Sequence, residues 1–186
     1  MIKLENVDCG YGGIYILKDL SCEIPENGVT LVTGGSGSGK STLLKLMAGM
    51  LKADRGSVSG LSDKRISAVF QEDRLLPWFS ALTNVAVVND SGDAGRWIGL
   101  VELDEYKDKR VTELSGGQQR RVAIARALNF GGDVLLLDEP FTGLDDALKL
   151  RLIQRIRGEF PTIVIATHDA SEAEALGADT RIELRK

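Results

Sequence analysis

The sequence has few cysteines and a single histidine. Two of its 186 residues are cysteine and one is histidine. Cys9 and Cys22 lie in apolar, strand-like segments, with no CxxC spacing and no neighbouring histidine. We therefore expect reduced core thiols, and neither a disulfide nor a zinc site.

Long apolar runs are also missing. A membrane-spanning helix needs about 18 or more apolar residues in succession, and no run approaches that length. The sequence begins directly with a strand pattern, so no signal peptide is expected. A role at a membrane would therefore require separate membrane subunits.

Basic tracts, internal repeats and low-complexity segments are absent too. The formal net charge is −4, which argues against nucleic acid as the main partner. The basic pair Arg120-Arg121 lies in a helical pattern, and we interpret it as part of a solvated helix face. With 43% hydrophobic and 27% charged residues, the composition is that of one globular domain with a sizeable core.

Short apolar segments alternate with helical patterns along the chain. Strands are predicted at residues 2–7, 17–24, 29–33, 56–59, 66–70, 134–137, 162–167 and 181–184. Helices are predicted at residues 41–50, 81–88, 94–100, 115–128, 146–159 and 171–176. The alternation in the second half predicts a parallel sheet covered on both faces. Residues 75–112 interrupt the alternation, and we interpret them as an inserted helical subdomain.

A glycine-rich loop, GGSGSGKS at residues 34–41, lies between a predicted strand and a predicted helix. Its glycines allow a tight turn with N–H groups aimed inward, and the following helix N-terminus favours an anion. The pattern is that of a P-loop, in which Lys40 would reach the β- and γ-phosphates and Ser41 would hold Mg²⁺. A chance glycine-rich turn would not explain the flanking strand and helix. The residues predicted to bind nucleotide phosphate are Gly34, Gly35, Ser36, Gly37, Ser38, Gly39, Lys40, Ser41 and Thr42.

Two carboxylates, Asp138 and Glu139, follow the apolar strand at residues 134–137. A buried strand that ends in carboxylates brings them to the carboxyl edge of the sheet, where ligands bind in such folds. Asp138 would bind Mg²⁺ through water, and Glu139 would act as general base on the attacking water. The alternative is that one of them merely terminates the strand.

The sequence LSGGQ at residues 114–118 opens a predicted helix. Ser115 is a suitable N-cap, the two glycines leave room for a phosphate, and the helix dipole favours an anion. A plain glycine-containing helix start is the alternative. The P-loop, LSGGQ and the strand with two carboxylates, in this order, resemble the ATP-binding-cassette (ABC) ATPases, and the resemblance covers residues 1–184.

The resemblance implies an α/β P-loop NTPase fold of ABC type. Its sheet is mostly parallel and flanked by helices, with an N-terminal antiparallel β element and an inserted helical subdomain. Residues 1–186 would form a single domain, with residues 1–74 and 113–186 as catalytic core and residues 75–112 as helical subdomain. The chain is shorter than typical relatives, and its helical subdomain looks trimmed.

In this family two subunits pack head to tail, and each LSGGQ signature covers the γ-phosphate held by the other P-loop. The resemblance therefore implies that Ser115, Gly116, Gly117 and Gln118 bind nucleotide in trans. Asp145, in a D-loop-like Gly-Leu-Asp, would lie at the dimer seam. The partner would be an identical or a different cassette.

Three further residues receive roles from the resemblance. Gln71 would contact Mg²⁺ or the lytic water and sense the membrane partner, although a glutamine after a strand is by itself a surface residue. His168 would contact the γ-phosphate, although a lone histidine is usually structural. Tyr11 would stack on adenine, and a tyrosine packed on the core is the competing interpretation.

The segment VFQEDRLLPW at residues 69–78 resembles importers for nitrate, sulfonates, taurine or thiamine-type solutes. The resemblance implies that this segment contacts a short helix of the membrane subunit. The alternative is that its apolar side chains fill the core of the helical subdomain. The implied function is ATP- and Mg²⁺-dependent energising of solute import at the cytoplasmic face of the cell membrane. The implied partners are transmembrane permease subunits and a solute-binding protein.

The sequence leaves three alternative functions to compare with an importer ATPase. An ABC exporter or lipoprotein-release ATPase would have another direction of transport, and the LLPW stretch favours import. A non-transport ABC ATPase acting on DNA or ribosomes usually carries coiled coils or tandem cassettes, which this sequence does not show. A small-molecule P-loop kinase would have no use for the signature.

Overall fold

The structure, a computed structural model, describes residues 1–89 and 92–185. Its strands are β1 (Ile2–Tyr11), β2 (Ile14–Ile24), β3 (Val29–Thr33), β4 (Arg55–Ser59), β5 (Ile66–Val69), β6 (Val134–Asp138), β7 (Thr162–Ala166) and β8 (Thr180–Glu183). Its α-helices are α1 (Lys40–Met47), α2 (Ala81–Ala86), α3 (Ala94–Leu100), α4 (Gly116–Phe130), α5 (Asp146–Ile156) and α6 (Ala170–Leu176). Two short 3₁₀ helices, Asp104–Tyr106 and Val111–Glu113, lead into α4.

Five strands form the parallel sheet that the sequence predicts, in the order β5-β6-β7-β3-β8. The central strands β6 and β7 are buried along their whole length. Along β6, Leu135 and Leu137 pack in one hydrophobic core, and Val134 and Leu136 pack in a second core on the other face. Side chains of a strand point alternately to its two faces, so both faces of the sheet are covered.

The other three strands form an antiparallel sheet in the order β2-β1-β4. It packs with α1 on one face of the parallel sheet and contributes Ile2, Leu4 and Val7 to that core. The expected N-terminal antiparallel element is therefore present. Its hairpin is longer than predicted, because Tyr11 pairs with Ile14 across a tight turn.

Most predicted elements are found with ends that shift by a few residues. The strand at residues 29–33 and the helix at residues 94–100 have the predicted bounds. The first helix ends at Met47 rather than at residue 50, and Gly49 follows with a left-handed φ of 70°. The helix after residue 146 ends at Ile156 rather than at residue 159.

Two helices predicted between β5 and α4 are present, as α2 and α3. Ser80 and Asp93 cap α2 and α3 with side-chain oxygens. Both helices pack on α4, and Val85 and Ile98 are fully buried there. The division of the chain at residues 75–112 stays a prediction.

Both cysteines are free thiols, Cys9 buried and Cys22 partly buried, and burial raises the pKa of each. Cys9 lies in a hydrophobic core and Cys22 packs against it. Within residues 1–89 and 92–185, no helix combines the length and apolar character needed to cross a membrane.

Candidate nucleotide-binding and catalytic site

The glycine-rich loop connects β3 to α1 and opens outward at the carboxyl edge of the parallel sheet. Gly39 caps α1 with a left-handed φ of 100°. A Cβ on Gly39 would lie 2.7 Å from Cδ2 of Leu17, so both backbone and space require glycine. Lys40 Nζ donates to the carbonyl oxygens of Gly34 at 2.9 Å and Gly35 at 3.3 Å. The loop therefore has the conformation expected of a P-loop, and Lys40 is hydrogen-bonded to the loop's own backbone.

A cleft of about 520 Å³ lies in front of this loop. Its walls bring together residues from five separate parts of the chain, which are Tyr11, Ile16, Gly34, Gly35, Ser36, Gly37, Ser38, Gly39, Lys40, Ser41, Thr42, Gln71, Glu139 and His168. Tyr11 is half-exposed at the edge of the cleft, not packed into the core. Thirteen of these fourteen residues are among the site residues predicted from the sequence. Ile16 is the exception, because an isoleucine in a strand carries no chemical signal.

Asp138 ends β6 and is 2% exposed. Within the part of the chain that the structure describes, its Oδ1 is buried without a hydrogen-bond partner. Burial raises the pKa of Asp138, and a hydrogen bond from Ser41 opposes the rise. A buried carboxylate oxygen with an unfilled acceptor site, next to a hydroxyl, is a suitable donor set for a hard divalent cation such as Mg²⁺.

Glu139 and His168 form a pair at the opposite wall of the cleft. His168 Nδ1 lies 2.8 Å from Glu139 Oε2, and the histidine ring is 75% exposed. Glu139 adopts a left-handed φ of 50°, and its N–H donates to the carbonyl of Ala166 at 2.8 Å. The hydrogen bond and the charge of Glu139 raise the pKa of His168 above its ordinary value. This geometry joins the ends of β6 and β7 at Glu139, the predicted general base.

Arg120 corrects the sequence interpretation of the basic pair as a solvated face. Its side chain is 7% exposed and turns from α4 into the space between β5 and β6. The guanidinium donates to the carbonyl oxygens of Asp138 and Glu139, each at 2.8 Å, and of Pro140 at 3.1 Å. It therefore fixes the backbone that carries the carboxylates of Asp138 and Glu139. Its neighbour Arg121 is also partly buried and donates to the carbonyl oxygens of Val101 and Glu102.

The same guanidinium also holds the segment around Gln71. It donates to the carbonyl oxygen of Phe70 and pairs with Asp73 Oδ1 at 2.8 Å. One turn and a half further along α4, Arg126 donates to the carbonyl of Asp73 at 2.6 Å. Arg120 and Arg126 of α4 thus hold the Gln71 segment in place by hydrogen bonds and an ion pair. A buried arginine of this kind is not visible in a sequence, because its acceptors are backbone carbonyls of distant segments.

The LSGGQ motif lies at the start of α4, where Ser115 is the N-cap as expected. Ser115 Oγ accepts from the N–H of Gln118 at 3.3 Å, and Gln118 Oε1 accepts from the N–H of Ser115 at 2.8 Å. Among the described residues, those of this motif do not line the P-loop cleft. Gly116 instead lines an adjoining cleft of about 500 Å³ that shares Gln71, Glu139 and His168. Within one chain, the signature and the P-loop therefore line two different but adjoining clefts.

Asp145 lies at the N-terminus of α5, after Gly143 and Leu144. Its Oδ1 accepts from the N–H of Leu148 at 2.9 Å and caps the helix. The first turn of α5 also carries Asp146, whose side chain is 96% exposed. The D-loop-like turn is therefore a capped and exposed helix start.

An apolar loop at residues 75–79 lies beside the Gln71 segment. Asn84 is fully buried and holds this loop, accepting from the N–H of Leu76 at 2.7 Å and donating to its carbonyl at 3.1 Å. Trp78 is 74% exposed and Phe79 is 42% exposed, whereas Leu75 packs against the core. The loop thus contributes both to the core and to the surface, as the sequence analysis left open.

A P-loop, carboxylates at the end of a buried parallel strand and an LSGGQ helix start, on this two-sheet fold, define an ATP-binding-cassette ATPase. The family described as ABC transporter matches residues 17–142. The chain belongs to the ABC transporter family, and within it to the ATP-binding subunits of importer type. The importer expectation and the expected ABC fold are thereby confirmed.

Curated relatives and solved structures agree with this assignment. Aliphatic sulfonates import ATP-binding protein SsuB 2 of Agrobacterium fabrum is 39% identical over 182 residues, covering 90% of this chain and 70% of the relative. Taurine import ATP-binding protein TauB of Pseudomonas aeruginosa is 39% identical over 184 residues, covering 88% of this chain and 70% of the relative. A solved dimeric ATP-binding cassette in a post-hydrolysis state, bound to ADP and phosphate, has a TM-score of 0.88 and 30% identity. That comparison covers 100% of this chain and 94% of the solved chain.

Proposed function

We propose that this chain binds ATP with Mg²⁺ in the P-loop cleft and hydrolyses it to energise solute import through a membrane permease. The observation that carries the proposal is the cleft itself. It brings Lys40, Gln71, Glu139 and His168 together from four separate segments. Phosphoryl transfer depends mainly on positioning and on charge stabilisation, and these four side chains are suited to both.

The phosphates of ATP bind the loop backbone at residues 34–39 and the N-terminus of α1. Lys40 leaves the carbonyl oxygens of Gly34 and Gly35 and moves its ammonium group to the β- and γ-phosphates. Thr42 donates to the α-phosphate. At the edge of the cleft, Tyr11 stacks on the adenine ring.

Ser41, Asp138 and Gln71 are the side chains that would hold Mg²⁺. Asp138 Oδ1 and the neighbouring Ser41 hydroxyl fit the oxygen donor set that this cation prefers. The cation, when bound, neutralises charge on the β- and γ-phosphate oxygens. Asp138 is buried, and burial disfavours the ionised form of its carboxyl group. A bound cation would offset that cost.

Glu139 Oε1 accepts a proton from the water that attacks the γ-phosphate, as a general base does. Its other oxygen, Oε2, is held by His168 Nδ1 at 2.8 Å. When His168 is protonated both ring nitrogens donate, so Nε2–H faces the γ-phosphate and stabilises its developing charge.

The working form is a head-to-tail dimer, of two identical chains or of this chain with a second cassette. Ser115, Gly116, Gly117 and Gln118 cover the γ-phosphate bound by the partner, and Asp145 lies at the seam. This arrangement accounts for a signature motif that lies outside the P-loop cleft of its own chain.

The dimer is tested by light scattering on the Glu139→Gln variant, with and without ATP. Loss of the base should trap the ATP-bound dimer, so the mass should double when ATP is added. Addition of Ser115→Arg to this variant should abolish the shift. A mass that stays monomeric in Glu139→Gln with saturating ATP contradicts autonomous dimerisation.

The exposed loop at residues 76–79 is the surface that contacts the permease on the cytoplasmic face of the membrane. Asn84 holds this loop in one conformation, so its apolar side chains are presented without an ordering cost. A separate solute-binding protein captures the solute. Aliphatic sulfonates and taurine are the first solutes to test, because relatives named for them are 39% identical.

The permease contact is tested by co-purification with the permease expressed beside this chain. Trp78→Ala should weaken co-purification while the ATP turnover of the isolated chain stays unchanged. Val87→Ala is the control, because Val87 is an exposed apolar residue of the same subdomain outside this loop. Equal losses in both variants would contradict a specific role for the loop.

A further inference from the structure

An ion cluster connects α5 to the segment that carries His168. Lys149 Nζ lies 2.7 Å from Asp169 Oδ2, 3.4 Å from Glu172 Oε1 and 3.5 Å from Asp146 Oδ1. The Lys149 side chain is 12% exposed and that of Glu172 is 5% exposed. Lys149 and Glu172 are largely buried, Asp169 is 31% exposed, and Asp146 lies at the solvent side with 96% of its side chain exposed. The contact of Lys149 with Asp169 and Glu172 is therefore a joint between α5 and α6 and not a fully solvated surface pair.

The α6 side of the joint is rigid. Asp169 is the N-cap of α6, and its Oδ1 accepts from the N–H of Ser171 at 2.9 Å and from its hydroxyl at 2.6 Å. The N–H of Asp169 donates to Thr167 Oγ1 at 3.0 Å. His168 lies between these two residues, so the position of its backbone follows that of Asp169.

The α5 side of the joint is one turn from the D-loop-like helix start. Asp145 caps α5, and its carbonyl oxygen accepts from the N–H of Lys149 at 2.9 Å. A displacement of the helix start therefore moves Lys149 with it. The hydrogen bond to Asp169 raises the pKa of Lys149 to about 12, so the side chain stays charged at neutral pH.

We infer that Lys149 is a positioning residue that couples the start of α5 to His168, and through His168 to Glu139. The path runs from Asp145 along the first turn of α5 to Lys149, across the ion pair to Asp169, and into the His168–Glu139 hydrogen bond. The inference rests on the proposed function, in which Asp145 lies at the dimer seam. Contact with the partner is thereby communicated to the catalytic carboxylate, so that hydrolysis follows dimer closure.

The test compares Lys149→Met, which keeps the aliphatic stem but removes the charge, with Lys149→Arg. We expect Lys149→Met to lower kcat about fivefold, within the range for residues that modulate coupling between sites. The KM for ATP should stay within about twofold, because Lys149 does not contact the nucleotide cleft. Lys149→Arg should recover most of the lost kcat.

Arg151→Met is the matched control, because Arg151 lies on the same helix and pairs with Glu102 instead of α6. It should leave kcat near that of the wild type. Equal losses of kcat in Lys149→Met and Arg151→Met would show general destabilisation of α5 and would overturn the inference. Melting temperatures of all variants, measured in parallel, identify any variant that loses activity by unfolding.

A double-mutant cycle with His168→Ala tests the path itself under single-turnover conditions, which resolve slow variants. If Lys149 acts through His168, then Lys149→Met adds no further loss once His168 is alanine. Additive losses would overturn the inference. If His168→Ala alone has the wild-type rate, the proposed catalytic role of His168 fails first, which distinguishes that failure from the failure of the Lys149 path.

Discussion

His168 Nδ1 lies 2.8 Å from Glu139 Oε2, so the single histidine of the chain is bonded directly to the proposed catalytic base. The two residues follow neighbouring strands, β7 and β6, that are paired in parallel. Their contact is therefore a consequence of sheet order. It gives the proposed catalytic base a partner whose pKa is raised by the hydrogen bond and charge of Glu139.

Glu139→Gln should lower the pKa of His168 toward the ordinary value of 6.5, because it removes the hydrogen-bonding charge that raises it. The measurement is a pH titration of the histidine ring by proton NMR, which is unambiguous with one histidine. Glu159→Gln is the control, because Glu159 pairs with Arg96 on another surface. A pKa of His168 that does not change in Glu139→Gln would contradict the pairing in solution.

The Glu139–His168 pair also predicts the direction in which the stability of the fold changes with pH. The pKa of His168 is raised in the folded state, so the pair stabilises the fold fully below the unfolded-state pKa. This stabilisation is lost as pH rises through the folded-state pKa. The free energy of unfolding of wild type and of His168→Ala is measured by urea titration at pH values that span both pKa values of His168. The difference between the two free energies should shrink as pH increases.

Lys40→Ala should abolish ATP turnover, because it removes the cation that reaches the β- and γ-phosphates. Phosphate release and ATP binding are measured in the same preparation. Lys52→Ala, a change at an exposed lysine after α1, should leave both unchanged. Normal turnover in Lys40→Ala would remove Lys40 from the site.

Ser115→Arg should spare ATP binding but block turnover, because the bulky side chain occupies the surface that covers the partner's γ-phosphate. Loss of the N-cap costs about 1 kcal/mol of stability and does not by itself prevent binding. Thr112→Arg adds the same side chain at an exposed position three residues earlier and should keep turnover. Turnover at the wild-type rate in Ser115→Arg would contradict action in trans.

Arg120→Met should destabilise the fold by about 3 kcal/mol, because it leaves Asp73 and several buried carbonyl oxygens without their donor. The free energy of unfolding is measured by urea titration. Arg120→Lys should be intermediate, since an ammonium group cannot reach acceptors on two strand ends at once. A change below about 1 kcal/mol in Arg120→Met, the range of exposed ion pairs, would contradict the buried network.

The sequence is sufficient to predict the parallel sheet and the P-loop side of the site. Val29–Thr33 is rich in β-branched residues and is followed by glycines, so local pattern alone locates the strand and the loop. Tyr11, Gln71 and His168 have no such local signal, and they were identified only through resemblance to a family. The cleft brings all three beside the P-loop, yet their chemical roles stay predictions.

Arg120 shows what local pattern cannot predict. Neighbouring charged residues in a helix usually face solvent, and the sequence interpretation of Arg120-Arg121 followed that rule. The structure buries Arg120 because the ends of β5 and β6 offer it a group of closely spaced carbonyl oxygens. Backbone acceptors carry no sequence signature, so only the assembled fold identifies them.

Trp78, on the exposed loop, and Trp97, packed against the core in α3, are the only two tryptophans of the chain. Both lie between β5 and α4, so intrinsic fluorescence reports on this segment and is silent about the rest. Trp78, with most of its ring in water, should emit at longer wavelength than Trp97. Burial of the loop by a membrane protein would shift that emission to the blue, giving the unlabelled chain an optical signal for docking.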